Sequence, residues 1–308
     1  METDELQNIP DPMPRPSDMI FSGKAHGLLT GALILGSLLL PQLAWTAPAI
    51  KDAGQVPHLD ENGREAYRNF LAADPHRAFA ISPGGGWAWR SGMASAKEAQ
   101  TAALAECAEQ SLYPCVPYAT DSRVVFDGKS WPRLWGPYLS AGEAKKAREG
   151  LIRGMRFPNL VLTAGDGHRV GLSDWRGKVV VLHFWGSWCP PCQKELPDLT
   201  RLVKKLERDP RFLIATTQMR ESPATARNWL RRGKLELPFY DSGERSDASD
   251  SLRLADGSSL QDRLLSPVFP TTYILDRQGI VVFSHQGPVS NWLQYLPFLE
   301  DVALRSGE

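Results

Sequence analysis

The chain has 308 residues, and its 35 Lys and Arg side chains balance 35 Asp and Glu, so the formal net charge at pH 7 is zero. Nucleic-acid binding leaves a basic footprint, and this neutral balance argues against such a partner. Hydrophobic residues make up 42% of the chain, as in globular proteins, and the length predicts about two domains of roughly 100–200 residues each.

An uncharged apolar stretch runs from Leu28 to Trp45, after Lys24 and before Ala47-Pro48-Ala49. A positive residue, an apolar stretch and small residues at its end describe a secretory signal peptide. The stretch also borders on the roughly 17–25 residues that cross a bilayer. We therefore assign residues 1–49 to a tail with either a cleaved signal peptide or a membrane anchor. Both alternatives predict a location in the periplasm or on the outer face of the cytoplasmic membrane.

A small α+β domain is predicted for residues 66–127, after a linker of mixed charge at 50–65. Ser95 with Glu98 three residues later has the pattern of a capping box, which predicts the start of an alanine-rich helix. Apolar runs bounded by glycine and proline predict short strands at 78–81, 87–89, 115–118 and 124–126. No motif in this domain indicates an activity, so its role stays open.

Four cysteines are present, and in an exported chain they allow three disulfide pairings. Cys107 and Cys115 are close in sequence, as are Cys189 and Cys192. A structural disulfide between Cys107 and Cys115 suits an oxidising compartment. By closing a short loop it would contribute roughly 2–3 kcal/mol in the chain-entropy model.

Residues 128–155, which include Trp131, Trp135 and a charged helical stretch at 141–149, are interpreted as a connector that packs on one neighbour. Residues 156–308 then predict a hairpin, a strand–helix–strand unit, a second hairpin and a last helix, which together form a mixed sheet between helices. The predicted strands are 160–162, 169–172, 179–185, 212–217, 271–275 and 280–285, and the predicted helices are 190–208, 223–232 and 291–304. The Ser- and Asp-rich stretch Ser242–Asp262 is either an insertion or a substrate-contacting loop.

The motif Trp188-Cys189-Pro190-Pro191-Cys192 joins the apolar strand at 179–185 to a helical pattern. In this position a CxxC pair is typical of a redox motif rather than of half a zinc site. The N-terminus of a helix stabilises a thiolate, which is the attacking species in thiol–disulfide exchange. We predict that Cys189 is the nucleophile and Cys192 the more buried, resolving thiol. The redox group is then the disulfide itself, and we expect no other cofactor and no metal.

From Phe157 onward the sequence resembles the thioredoxin superfamily, and within it the TlpA/ResA-type envelope thiol–disulfide oxidoreductases. The resemblance rests on F-P-N-L-x-L, on L-x-D-W-R-G-K-V-V-V-L-H-F-W-G-S-W-C-P-P-C-x-K-E-L-P and on F-P-T-T-Y-I-L-D-R-Q-G. It covers residues 157–305 and implies a thioredoxin fold. The fold class expected for the whole chain is therefore α/β: a mixed central sheet with helices on both faces, preceded by a small α+β domain that contains a disulfide.

The resemblance also implies roles for single residues. Pro270 matches the family's cis-proline, which lies against the active disulfide and exposes backbone groups that hold a substrate strand. Glu195 matches an acidic residue that ResA-like members keep near the cysteines, where a carboxylate raises a thiol pKa and relays protons. The alternative for Glu195 is a solvated helix glutamate. The residues expected to contact substrate are Trp188, Pro190, Pro191, Phe269 and Thr271.

His183 departs from the family, because thioredoxins have a buried aspartate at this position and TlpA-like proteins often have asparagine. We hypothesise that His183 lies beneath the disulfide and moves protons for Cys192. The alternative is a neutral histidine that is satisfied by one hydrogen bond.

The favoured function is a reductase of the cell envelope, which receives electrons from a membrane thiol donor. Its substrate would be an oxidised protein, such as an apo-cytochrome in cytochrome c maturation or a copper protein. The alternatives are a disulfide oxidase or isomerase, and a binding or metal-chaperone module on a thioredoxin scaffold. No histidine lies between the cysteines and Glu195 opposes a thiolate, so both features favour the reductant. Substrate, donor, direction and oligomeric state stay open.

Overall fold

The computed structural model describes residues 50–245 and 251–306. The apolar stretch at 28–45, which the sequence assigns to a signal peptide or an anchor, lies outside these residues. Among the residues that are described, no helix combines the length and the apolar character needed to cross a membrane.

The first part of the chain forms an antiparallel sheet with a helix on each face. Its strands are β1 (Ala78–Ile81), β2 (Trp87–Arg90), β3 (Val116–Thr120) and β4 (Arg123–Val124), and its helices are α1 (Glu61–Ala72) and α2 (Ala96–Gln110). The strand order is β2-β1-β3-β4. Alternate residues of β1 face opposite sides: Phe79 and Ile81 belong to the aromatic core with α1, whereas Ala78 and Ala80 pack with α2. Small side chains on one face thus let the alanine-rich helix lie close to the sheet.

The segment 50–65 differs from the predicted linker. Residues Ala53–Gln55 form a 3-10 helix, and α1 begins at Glu61 with the side chain of Asp60 as its N-cap. Val56 and Leu59 are each 1% exposed and belong to the core of the small domain. The apolar residues between polar ones therefore serve packing, and the small domain begins before residue 66.

The second sheet has seven strands, and it carries the CxxC motif. Its first strands are β5 (Val161–Ala164), β6 (Arg169–Gly171), β7 (Val179–Trp185), β8 (Phe212–Gln218) and β9 (Phe239–Asp241). Later in the chain come the separate hairpin β10 (Ser251–Arg253) and β11 (Ser259–Gln261), then β12 (Thr271–Leu275) and β13 (Val281–Gln286). The order β13-β12-β7-β8-β9-β5-β6 places β7 near the centre, parallel to β8 and antiparallel to β12. This is the predicted mixed sheet of a thioredoxin fold.

Helices flank both faces of this sheet. They are α3 (Ala141–Lys146), α4 (Pro190–Leu206), α5 (Pro223–Arg232), α6 (Asp262–Leu265) and α7 (Leu296–Arg305), together with 3-10 helices at Trp131–Leu134, Leu172–Trp175 and Trp292–Tyr295. All residues of β7 are buried. Val179 and Val181 face the core formed with α4, α5 and α7, whereas Val180 and Leu182 face the one formed with α6 and β10. A strand buried on both faces explains the continuous apolar run in the sequence.

The connector contacts both sheets, whereas the sequence predicted one neighbour. Trp131 lies in the core of the small domain, and Trp135 stacks on Phe298 of α7 with ring centroids 3.8 Å apart. The hydroxyl of Tyr113, in the loop after α2, donates to the Ser284 carbonyl (2.9 Å) and accepts from the Ser284 amide (2.7 Å) on β13. Aromatic side chains and this hydrogen-bonded tyrosine thus fasten the small domain to the edge of the large sheet.

The predicted disulfide between Cys107 and Cys115 is present and links the end of α2 to the chain just before β3. The stretch Ser242–Asp262 holds the hairpin β10–β11 and the start of α6, which the sequence left without assigned elements. Residues 246–250 within it are outside the described part. The predicted helix 291–304 is divided into the 3-10 helix Trp292–Tyr295 and α7.

Candidate active site

The two cysteines lie where β7 leads into α4. Cys189 is the N-cap of α4, and Pro190 and Pro191 occupy its first positions, where a missing N–H costs little. Cys189 and Cys192 are joined by a disulfide, and the Cys192 amide donates to Cys189 Sγ at 3.2 Å. Both cysteines are buried: Cys189 is 3% exposed and Cys192 is 0% exposed, so Cys192 is the more buried of the two, as the sequence predicts.

The loop before the cysteines is held by a carboxylate that the sequence analysis missed. Ser187 donates from its amide to Oε1 of Glu221 (2.6 Å) and from its hydroxyl to Oε2 (2.5 Å). Gln193 of α4 donates to the Ser187 carbonyl at 2.5 Å. Glu221 is 8% exposed and directly precedes the Ser222 cap of α5. In the sequence, the only sign of Glu221 was its position before the Ser-Pro start of a helix. Its hydrogen-bond partner Ser187 is 34 residues away, so the sequence did not link the two residues.

An apolar surface surrounds the dithiol. Trp188 is 45% exposed, and its indole N–H donates to the Met219 carbonyl at 3.0 Å. The ring of Phe269 meets Trp188 edge-on, with centroids 5.0 Å apart. The Phe269–Pro270 bond is cis, as the resemblance implies. Thr271 begins β12 opposite Phe184 of β7, which brings the proline loop beside the end of the cysteine-bearing strand.

Glu195 lies in the protein interior, one turn after Cys192 on α4. It is 4% exposed, and its Oε1 accepts from the indole N–H of Trp292 at 2.8 Å. Burial raises its pKa to about 8, and hydrogen bonds from Trp292 and the Val289 backbone only partly oppose this shift. The alternative of a solvated helix glutamate is therefore wrong. A carboxyl with this pKa takes up or releases a proton near neutral pH.

His183 is fully buried on β7. Its Nδ1 lies 2.9 Å from the Thr272 hydroxyl, its direct cross-strand neighbour on β12. Its Nε2 has no hydrogen-bond partner among the described residues. Burial lowers the pKa of His183 to about 3, so the ring is neutral at neutral pH. The ring lies edge-on to Trp292 with centroids 6.4 Å apart, so Trp292 contacts both Glu195 and His183.

A disulfide at the N-terminus of a helix, with an apolar surface and a cis-proline beside it, defines a thiol–disulfide oxidoreductase of thioredoxin fold. Comparison with known proteins agrees, because the Redoxin family model matches residues 152–295. ResA of Bacillus subtilis (strain 168), a thiol-disulfide oxidoreductase, is 31% identical over 137 residues, which are 44% of this chain and 68% of ResA. The chain therefore belongs to the ResA-like thiol–disulfide oxidoreductases of the thioredoxin superfamily.

Two further similarities cover the same half of the chain. The thioredoxin-like protein YneN of Bacillus subtilis (strain 168) is 28% identical over 147 residues, 47% of this chain and 78% of YneN. Among solved structures, the thioredoxin domain of a thiol-disulfide oxidoreductase from Bacteroides vulgatus is 19% identical, with a TM-score of 0.39 over 50% of this chain and 99% of that domain. The sheet formed by β1–β4 lies outside the matched family region.

Proposed function

We propose that this chain reduces disulfide bonds of proteins in the cell envelope, with Cys189 as nucleophile and Cys192 as resolving thiol. The observation that carries the assignment of roles is the hydrogen bond from the Cys192 amide to Cys189 Sγ at the start of α4. In the reduced protein the same amide and the positive end of the helix dipole favour a thiolate on Cys189. Cys189 is also the less buried of the two residues.

The reaction balances as a two-electron exchange. The Cys189 thiolate attacks one sulfur of the substrate disulfide, forms a mixed disulfide and expels the other substrate sulfur as a thiolate, which takes a proton. Cys192 then loses its proton and attacks Cys189 Sγ, which releases the second substrate thiol and leaves the Cys189–Cys192 disulfide. A dithiol donor at the membrane restores the reduced form and is itself oxidised to a disulfide.

Two features support the reductive direction. Proline occupies both positions between the cysteines, so no imidazolium there stabilises a thiolate. Glu195, the buried titratable group one turn after Cys192, is a carboxyl: when neutral it provides no positive charge to stabilise a thiolate, and when ionised it raises the thiol pKa. A less stabilised thiolate makes the disulfide less oxidising.

Glu195 also supplies a proton store for the resolving step. With a pKa of about 8, Glu195 is mostly protonated at neutral pH. It can therefore take up or release a proton when Cys192 loses or gains one. For His183 the proton-relay hypothesis has weaker support, because its lowered pKa makes it a poor base. Its neutral, hydrogen-bonded state matches the second alternative for this residue.

The proposed substrate is an oxidised protein, such as an apo-cytochrome or a copper protein. The apolar stretch at 28–45, interpreted from the sequence as a signal peptide or an anchor, supports a reaction outside the cytoplasm. The half-exposed ring of Trp188 and the adjacent Phe269 provide apolar contacts for such a polypeptide. These contacts support protein disulfides rather than small disulfides as substrates.

The test of direction is the reduction potential of the Cys189–Cys192 pair in the purified protein, equilibrated with glutathione buffers. A value well below roughly −180 mV, that of protein disulfide isomerase, supports a reductase. A value at or above it favours the oxidase or isomerase alternative. For the roles of the sulfurs, Cys192→Ser is expected to trap a mixed disulfide with substrate, and Cys189→Ser is the matched control that traps none.

A further inference from the structure

We propose that Arg220 is a positioning residue of the substrate surface, where it holds Phe269 against Trp188 through an ion pair with Asp262. The inference rests on the proposed function, since it assigns what shapes the surface beside Cys189. It also gives the inserted stretch after β9 a role, because Asp262 is the first residue of α6.

The ion pair is close and nearly enclosed. Arg220 Nε lies 2.5 Å from Asp262 Oδ2, and the two side chains are 15% and 1% exposed. A charge pair that is removed from water holds its partners firmly, because separating them leaves a charge unpaired in the interior. The pair therefore links the loop after β8 to the end of the inserted stretch.

The same guanidinium reaches the active-site surface. Its central carbon lies 5.1 Å from the centroid of the Phe269 ring, within the range of a cation–π contact. Phe269 in turn meets Trp188 edge-on and directly precedes the cis-proline. The backbone carbonyl of Met219, which directly precedes Arg220, accepts a hydrogen bond from the indole N–H of Trp188. Residues 219 and 220 thus determine where both aromatic rings lie.

The backbone of Arg220 adds a second, independent sign of a specific role. Its φ is +57°, in the left-handed region that favours glycine. Such residues occur where the surrounding structure holds them. Glycine would relieve the strain here but would remove the side chain that contacts Asp262 and Phe269.

α6 and the turn after it carry two further exposed apolar side chains. Leu264 and Val268 are 62% and 49% exposed, compared with 45% for Trp188. The Tyr273 hydroxyl donates to the Leu265 carbonyl at 2.7 Å, which fixes the end of α6 on β12. The occupant that we assign to this surface is an extended, partly apolar segment of the oxidised substrate protein, because Trp188, which contacts Phe269, directly precedes the nucleophile Cys189.

The test compares a protein disulfide with a small one. Insulin and hydroxyethyl disulfide serve as substrates, with dithiothreitol as electron donor, and kcat and KM are measured for both. In Arg220→Gln the ratio of kcat/KM for insulin to that for hydroxyethyl disulfide is expected to fall about tenfold, mainly through the KM for insulin. Arg220→Lys should lie between this variant and the original protein, since lysine keeps the charge but not the planar group.

The matched control is Arg227→Gln, because Arg227 makes the same kind of contact with Phe239, at 4.7 Å. This control should keep the original ratio. Asp262→Asn should lower the ratio as Arg220→Gln does, and the double variant should be no worse than either single one. In protein labelled with fluorotryptophan, the fluorine resonance of Trp188, assigned with Trp188→Phe, should move in Arg220→Gln. This readout and the lysine variant stand even if Asp262→Asn fails to fold.

The outcomes separate the two proposals. A protein that reduces neither substrate, or whose potential is that of an oxidant, overturns the proposed reductase function. If the protein reduces insulin, but Arg220→Gln and Arg227→Gln have the same ratio of kcat/KM values and the same Trp188 resonance, the positioning role of Arg220 is wrong. The proposed reductase function is then unaffected.

Discussion

The indole N–H of Trp292 donates to Oε1 of Glu195 at 2.8 Å, and the same indole ring lies edge-on to His183. One tryptophan thus contacts two buried titratable groups whose pKa values are shifted in opposite directions. Burial raises the pKa of Glu195 and lowers that of His183, so both groups are held in their neutral forms. The two groups therefore make opposite contributions to the pH dependence of the free energy of unfolding.

Glu195→Gln is expected to change how stability depends on pH. Between about 4.5 and 8, unfolded protein releases the Glu195 proton while folded protein keeps it, so the original protein loses stability as pH rises. Glutamine does not titrate, so the free energy of unfolding of the variant rises relative to that of the original protein by up to about 1.4 kcal/mol per pH unit in this window. Urea unfolding of the oxidised proteins at several pH values measures the difference.

The control for this experiment is Glu236→Gln, whose side chain is 86% exposed. Its stability should follow the pH dependence of the original protein. Parallel stability curves for Glu195→Gln and the original protein would show that Glu195 titrates normally in the folded state, which would remove the support for its role as a proton store.

His183→Asn should show the opposite trend. Between about 3 and 6.5, unfolded protein binds a proton at His183 while the folded protein does not, so the original protein loses stability as pH falls through this window. Asparagine does not titrate, so the variant lacks this contribution to the pH dependence of the free energy of unfolding. Its amide can still form a hydrogen bond with the Thr272 hydroxyl. Urea unfolding at mildly acidic pH measures it, with His168→Asn, whose side chain is 63% exposed, as control.

The same His183→Asn variant tests the proton relay. A relay predicts a shifted titration of the Cys192 thiol, followed by alkylation or thiolate absorbance, together with slower turnover. If the titration and the turnover are both unchanged, the relay hypothesis fails and the histidine serves packing alone.

Glu221→Ala is expected to weaken catalysis by releasing the loop before the cysteines. Its carboxylate accepts two hydrogen bonds from Ser187, and bonds to a charged group contribute about 1.5–3 kcal/mol each. We expect kcat/KM for insulin to fall at least about tenfold, because small displacements of a reacting group are costly. Glu221→Gln keeps one acceptor and should lie in between. Glu207→Ala, an exposed site at the end of α4, is the control, and an equal effect of both alanine variants would contradict the prediction.

The sequence predicted best those elements whose pattern is local. The bounds of β7 and α5 match the predictions, since an uninterrupted apolar run and a Ser-Pro start define them within a few residues. α1 was missed because Gly63 and the polar residues around it are typical of a linker, although Asp60 caps the helix and Tyr67 and Phe70 bury one side of it. The short strand β9 follows Pro238 and is too brief to show a period.

For the site, the local CxxC motif pointed to the cysteines, and the family resemblance pointed to Glu195 and Pro270. The residues that support them could not be found in this way, because hydrogen-bond partners lie far apart in the chain. Trp292 is 97 residues from Glu195, and Thr272 is 89 residues from His183. The pairing of β12 with β7 brings Thr272 to His183, and the packing of the 3-10 helix Trp292–Tyr295 against α4 brings Trp292 to Glu195.

Tyr113→Phe is expected to loosen the attachment of the small domain. One hydroxyl bonds both the amide and the carbonyl of Ser284 on β13, the strand at the edge of the large sheet. Phenylalanine keeps the ring but leaves both backbone groups without this partner, at a cost of about 1–3 kcal/mol. Urea unfolding measures the free energy, and hydrogen exchange of the Ser284 amide should become faster. Tyr118→Phe is a matched control, because the buried Tyr118 hydroxyl has no partner among the described residues, so its removal should be neutral or stabilising. Equal losses in the two variants would mean that the Tyr113 hydroxyl does not secure the edge strand.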